Sequence, residues 1–360
     1  MRFISRIRAK AMPVGPTYRH SHVLSLVLLL GILLLVIVLA TSVGSVKIPM
    51  GQIWRILLNK LPWVNFVSDW SAGTQTIVLN LRLPRVLLAG TVGMALSVAG
   101  ATYQGLFRNP LADAYLIGVA QGAALGAVIG FLVPVAGVAY VYGLIPSFAF
   151  TGAMLSVLVV YGLARVGKTL PMSTLILAGV ALGALLGAVV SYLTLTSGGN
   201  TARGILFWLS GSFNLVQWRE LHIVFPVVFA GSLMIMLFGR SLNIMQLDEE
   251  QAQQLGVYVE RIKIILLVIA TLITAAAVSF VGIIGFVGII IPHIVRLIWG
   301  PDYRFLLPLS MVCGAIFLIL ADLLARTLMA PAEIPIGVIT ALAGAPFFLY
   351  LLRRKARMLF

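Results

Sequence analysis

About ten times along this 360-residue chain, a run of apolar residues approaches the roughly 20 that an α-helix needs to cross the hydrocarbon core of a bilayer. The runs fall at 24–43, 86–106, 115–133, 144–164, 175–195, 221–238, 264–281, 285–299, 306–323 and 336–352. Inside lipid every backbone N–H and C=O must be satisfied within the structure, which a helix of that length does by itself, and charge is confined mostly to the gaps between the runs. Composition agrees: 61% of residues are apolar and 10% charged, with a mean hydropathy of +1.09, whereas charged residues make up about a quarter of a soluble domain. The expected fold is all-α, a polytopic membrane protein of about ten transmembrane helices.

Charge sets the expected topology. Arg2, Arg6, Arg8, Lys10 and Arg19 precede the first run, and Arg353, Arg354, Lys355 and Arg357 follow the last. An even number of spans brings both ends to one side, and the excess of Lys and Arg places that side in the cytoplasm. The net charge of +15 is therefore read as topology, not as a nucleic-acid surface. The expected organisation is a cytoplasmic N-terminal extension at 1–20, a transmembrane body at 21–353 and a cytoplasmic tail at 354–360. The first run exceeds a signal-peptide core of about 7–15 residues and reads as a retained anchor. Cys313 is the single cysteine, so neither a disulfide framework nor a cysteine metal cluster is expected.

One stretch, 240–263, looks like surface. It holds Asp248, Glu249, Glu250 and Glu260, four of the ten acidic residues of the chain. Asp248 suits a helix N-cap, Gln251 three residues on completes a capping box, and Gly256 suits the stop. Glu249 and Glu250 complement the positive end of the helix dipole. A helix of about two turns is marginal by itself in water. It is either a solvated loop or a docking helix for a soluble protein.

The remaining signals are local. Between 46 and 75, Trp54, Trp63 and Trp70 stand with Lys47, Arg55 and Lys60 among apolar residues, which predicts an interfacial helix starting near Pro49 on the outer side. In 81–86, Arg82 and Arg85 flank Pro84 at the outer mouth of the second span. They anchor to headgroups, or else accept acidic groups from an external partner through their guanidinium forks. Gly118, Gly122, Gly126 and Gly130, and then Gly179, Gly183 and Gly187, recur four apart, which predicts close helix packing in lipid. Residues 162–169 fit the P-loop pattern by letter, but a membrane helix precedes them and Pro171 follows, so the match is read as chance. Residues 197–201 read as a turn and 208–218 as a second interfacial segment. The spans around Gly282–Gly288 meet at a break, and His293 is expected to bond a neighbouring backbone there. Asp322, with Arg326 one turn on, reads as a self-satisfied intramembrane pair rather than a proton relay.

Several blocks together resemble the FecCD-type permease subunits of bacterial ABC importers for iron-siderophores, haem and cobalamin. They are Arg82-Leu-Pro-Arg85, Arg108-Asn-Pro-Leu-Ala-Asp113, Leu177 to Gly183, Ala252 to Gly256, Gly285-Phe-Val-Gly288 through Pro292-His293 and Arg296, Ala321-Asp322 through Arg326, Glu333-Ile-Pro-Ile-Gly337, and Gly344-Ala-Pro-Phe347. The resemblance implies a non-catalytic subunit of the bacterial inner membrane, without cofactor or metal. Its implied partners are a second permease subunit, two cytoplasmic ATPases, an extracytoplasmic substrate-binding protein and membrane lipid. It assigns the 240–263 stretch to a coupling loop in which Asp248, Glu249, Glu250, Ala252, Leu255 and Gly256 meet the ATPase. It assigns Arg82, Arg85 and Arg326 to docking of the binding protein. The cargo it favours is a ferric siderophore, with cobalamin or haem as the alternative. Ala120-Gln121 and the long N-terminal extension depart from the family pattern. A secondary transporter, the rival reading, would need broken helices and carboxylates that coordinate a coupling ion near the midplane, and Asp322 alone serves that poorly.

Overall fold

Each of the apolar runs folds as a helix. The computed structural model describes residues 16–44, 48–60, 63, 66, 69–134, 143–167, 169–214 and 216–356; most of the N-terminal extension and the last residues of the tail lie outside them. The chain runs through α1 (Pro16–Ser42), α2 (Met50–Leu58), α3 (Ala72–Thr76), α4 (Leu83–Leu106), α5 (Val119–Leu132), α6 (Ile145–Ala164), α7 (Met172–Thr196) and α8 (Gly199–Leu209). It continues through α9 (Trp218–Leu237), α10 (Gly239–Ile244), α11 (Glu249–Gln254), α12 (Val259–Val281), α13 (Val287–Trp299), α14 (Tyr303–Thr327) and α15 (Ile336–Ala356). Among the described residues, 7 helices are long and apolar enough to cross a membrane, and α5, α13 and α15 contribute shorter apolar helices.

A π-helical turn, Ile77–Arg82, joins α3 to α4, so Ala72–Leu106 forms one rod of 35 residues. Its α4 portion is the centre of the bundle, packed by α1, α9, α12, α13 and α14. Small residues make that possible. A β-carbon at Gly93 would strike the backbone of Gly314 on α14, and one at Gly100 the backbone of Gly288. Burying apolar side chains gains little when the alternative is lipid, so such backbone approach supplies the contact. By contrast α1 and α7 leave most of their apolar surface uncovered within the chain.

The glycine rows divide. Gly122 and Gly126 on α5 lie against Gly152, Ser156 and Phe148 of α6, and Gly130 lies beside Ile145. Gly118 is not on the helical face: it is the N-cap of α5, at φ +85, because the predicted third span begins only at Val119. On α7, Gly179 meets the backbone of Leu116 and Ile117. Gly183 and Gly187 depart from the expected tight packing, since a β-carbon there would meet only the Gln121 side chain, at 3.7 and 3.6 Å.

The interfacial elements also divide. α2 starts after Pro49 as expected and buries Ile53 and Ile56. The second is displaced: 199–209 is helical, whereas 210–214 and 216–217 are not, because Gly198 in extended conformation starts a helix where its composition suggests a turn. The P-loop look-alike begins in the last turn of α6, and beyond it Val166 and Thr169 are bonded N–H to C=O in both directions at 3.1 Å.

Candidate functional site

Polar groups gather at the two ends of the bundle. At one end the rod leading into α4 carries Arg82 and Arg85, α14 ends with Asp322 and Arg326, and Glu333 precedes α15. Arg85 is the hub. Its Nε and Nη2 donate to Asp322 Oδ1 at 3.0 and 2.8 Å, while its Nη1 and Nη2 donate to Glu333 Oε1 and Oε2 at 3.0 and 2.9 Å. One planar guanidinium thus bridges two carboxylates, each through two N–H groups, the strongest form of this contact. Asp322 is 1% exposed and Glu333 31%.

The predicted pair of Asp322 with Arg326 exists, with Arg326 Nε 3.4 Å from Oδ2, but it is secondary to Arg85. Arg326 also donates to the Ala40 carbonyl. Arg82 Nη1 donates to the Thr41 and Ser42 carbonyls at 3.1 and 3.0 Å. The final carbonyls of a helix have no partner within it, and here two buried guanidinium groups close the end of α1. That role was not legible beforehand, because α1 and these arginines lie far apart in the chain.

At the opposite end, α10, α11 and the turn after it form the acidic loop. Asp248 stands at the N-cap of α11 but makes no side-chain cap bond; its carboxylate pairs with Arg108 Nη1 at 3.2 Å, and Arg108 also donates to the Leu247 carbonyl at 3.2 Å. The capping box is thus replaced by a bond to the residue that follows the α4 rod. Gly256 stops the helix with φ +82, as its place predicts. Ala252 is fully buried, Leu255 is 62% exposed, and Glu250 faces solvent. Glu249 turns inward to Lys263 Nζ at 2.8 Å. Gln246 donates to the Gly105 carbonyl at 3.1 Å, and Asn243 to Asp302 Oδ1 at 2.6 Å.

Between α12 and α13 the chain breaks from Gly282 to Phe286, and the freed backbone is re-bonded by side chains. Tyr115 donates to the Ile284 carbonyl at 3.0 Å and accepts its N–H at 3.3 Å. Gln104 donates to the Gly288 carbonyl at 3.2 Å. Asp113, in the α4–α5 turn, lies against Gly288; burial pushes its carboxyl up to about 6, although the N–H bond from Ala114 acts the other way. His293 packs edge-on against Phe347. Among the described residues no group of three His, Cys, Asp or Glu stands close enough to hold a metal.

A bundle of long apolar helices, with an exposed acidic loop at one end and a charged cluster at the other, is the build of a polytopic membrane protein. Residues 32–354 match the model of the FecCD transport family, and the chain belongs to that family. It is 42% identical to the cobalamin import system permease of Halobacterium salinarum, over 89% of this chain and 88% of the relative. It is 38% identical to the hemin transport system permease of Yersinia pestis, over 91% and 96%. A solved metal-chelate type ABC transporter in an inward-facing conformation superimposes with a TM-score of 0.79 at 31% identity, over 92% of this chain and 98% of that one. The protein is thus the permease subunit of an ABC importer, a transport subunit rather than an enzyme.

Proposed function

We propose that the chain moves a metal chelate, a ferric siderophore, inward across the bacterial cytoplasmic membrane by alternating access driven by separate ATPases. The observation that carries the coupling is the pairing of an anchored acidic helix at one end with rods, α4 and α14, that reach the charged cluster at the other. A conformational bias applied at one end can thereby shift the whole helix set. Both termini lie in the cytoplasm, the transmembrane body spans 21–353, and a second permease subunit completes the path. Asp248, Glu249, Glu250, Ala252, Leu255 and Gly256 form the surface that two ATPase subunits engage, with Glu250 and Leu255 the most outward of them. At the outer end, Arg82, Arg85 and Arg326 outnumber Asp322 and Glu333 and leave a positive mouth for an acidic binding protein. Because Arg82 and Arg326 are buried, an incoming carboxylate reaches the cluster at Arg85, in exchange for Glu333.

A second reading, cobalamin as cargo, is favoured by the 42% identity to a cobalamin permease. Uptake of radiolabelled ferric siderophore and of radiolabelled cobalamin into vesicles holding the reconstituted transporter, its binding protein and ATP separates the two. Saturable ferric-siderophore uptake that cobalamin does not compete is expected; uptake of cobalamin alone overturns the cargo, and uptake without ATP overturns the mechanism.

A further inference from the structure

Lys263 is 2% exposed, and a lone ammonium in such a place would cost several kcal/mol unless paired and hydrogen-bonded. It is paired across segments. Nζ lies 2.8 Å from Glu249 Oε2 on α11, 2.8 Å from Glu260 Oε1 on its own helix, and 3.5 Å from the Leu170 carbonyl in the α6–α7 connection. The other oxygen of Glu260 accepts the Leu170 N–H at 2.8 Å. Leu170 is therefore held by both backbone groups, and its side chain is itself buried. Three segments meet at one ammonium: the acidic helix, the start of α12 and the strap that leads into α7.

α11 is only 6 residues long, too short to hold a helical conformation or a direction unaided. Its own contacts are few: Ala252 is buried under it, and Arg108 takes Asp248 at its start. Among the described residues α7 packs chiefly on α5, α6 and α8. The Lys263 node thus gives a polar path from the acidic helix to α7, the least covered of the candidate spans among those residues.

We infer that Lys263 is a positioning residue for transport: it locks the acidic helix to the α6–α7 strap, so that displacement of that helix moves α7 together with α12. The inference rests on the reading of α11 as the ATPase-engaging helix only for its second half, transmission; the lock itself stands on the chain alone. With Lys263 buried and Glu249 43% exposed, the pair is better suited to fixing geometry between segments than to adding net stability.

Hydrogen exchange of the full chain in lipid nanodiscs tests the lock. In Lys263→Met, amide exchange is expected to rise about tenfold or more both at 249–256 and at 169–170, with wild-type rates in the core of α4, and Lys263→Arg is expected to restore protection at both. Wild-type protection at 169–170 in Lys263→Met overturns the lock. Should that variant fail to accumulate, Lys263→Gln, which removes the charge but keeps a polar group, gives the same readout, with loosening at 249–256 and 169–170 expected and wild-type protection at 169–170 overturning it. Transmission is tested in the assembled transporter. Lys263→Met is expected to keep ATPase co-purification and hydrolysis while uptake per ATP falls about tenfold, the signature of lost coupling between sites. A proportional fall of hydrolysis and uptake overturns transmission. If Glu250→Lys leaves ATPase co-purification at the wild-type yield, the engagement reading fails while the exchange result stands.

Discussion

Asp322 sits where Arg85 and Arg326 converge, and its environment decides what its charge does. Two N–H groups of Arg85 and the side of Arg326 hold its carboxyl at a site that is 1% exposed. Asn at this position keeps the shape and removes the counter-charge, and breaking a buried pair in this way costs about 3–5 kcal/mol. Asp322→Asn is therefore expected to lower the thermal unfolding midpoint in detergent far more than Glu333→Gln, whose carboxylate is 31% exposed; equal shifts would show that the cluster does not depend on Asp322. Asp113 gives a pH dependence of the opposite kind to that of a paired carboxylate. Its folded value is raised from 3.8 to about 6 by burial, so the stability it contributes is fully present below about 3.8 and is lost as pH rises through about 6. Unfolding midpoints measured from pH 4 to pH 8 should fall for the wild type relative to Asp113→Asn as that range is crossed, and parallel curves would remove Asp113 as the cause. At this scale the sequence was readable in part. The i, i+4 pair of Asp322 with Arg326 was visible, but Arg85 stands 237 positions from Asp322, and no local pattern selects it.

At the scale of elements, the two glycine rows look alike in sequence and differ in the fold. α5 and α6 touch along the faces of Gly122, Gly126 and Gly152, where any β-carbon runs into backbone. Gly126→Ala is expected to cost about 1–3 kcal/mol, the range for overpacking a close-fitted contact. Gly187 meets only a movable Gln121 side chain, so Gly187→Ala should stay within about 0.5 kcal/mol in the isolated chain. Denaturation of the two variants in one detergent compares them directly, and a similar cost for both would mean that α7 is packed more tightly than these distances allow. Spacing of four identifies a helix face, but not whether another helix lies on it. The acidic helix shows the same limit: its boundaries and its glycine stop follow from local chemistry, whereas Asp248 gives up its cap for Arg108, a partner brought by the end of the central rod.

Across the whole molecule, the rod that includes α4 and the helix α14 each carry charge at both ends. Arg85 and Arg108 bracket α4, and Asp302 and Asp322 bracket α14. The acidic loop and the arginine cluster are thereby fixed to the same two rigid bodies. Glu249 and Glu250, neighbours in sequence, take opposite parts in this arrangement: Glu249 is tied inward to Lys263 and Glu250 is exposed. Glu250→Lys is expected to reduce ATPase co-purification about tenfold with no change in unfolding midpoint, as for loss of a rim charge. Glu249→Lys should lower both, because it also places a like charge against Lys263. Equal behaviour of the two variants would mean that Glu249 is not held inside the chain.

The sequence by itself determined the class of the protein, the number and order of its apolar helices, the place of its acidic loop and its family, because hydropathy, caps and motif blocks are properties of short stretches. Tertiary structure alone decided which charges neutralise one another, which glycine face is covered and which helix end each arginine closes. Those outcomes depend on distances across the bundle, and a buried charge takes whichever opposite charge the packing brings within reach of it.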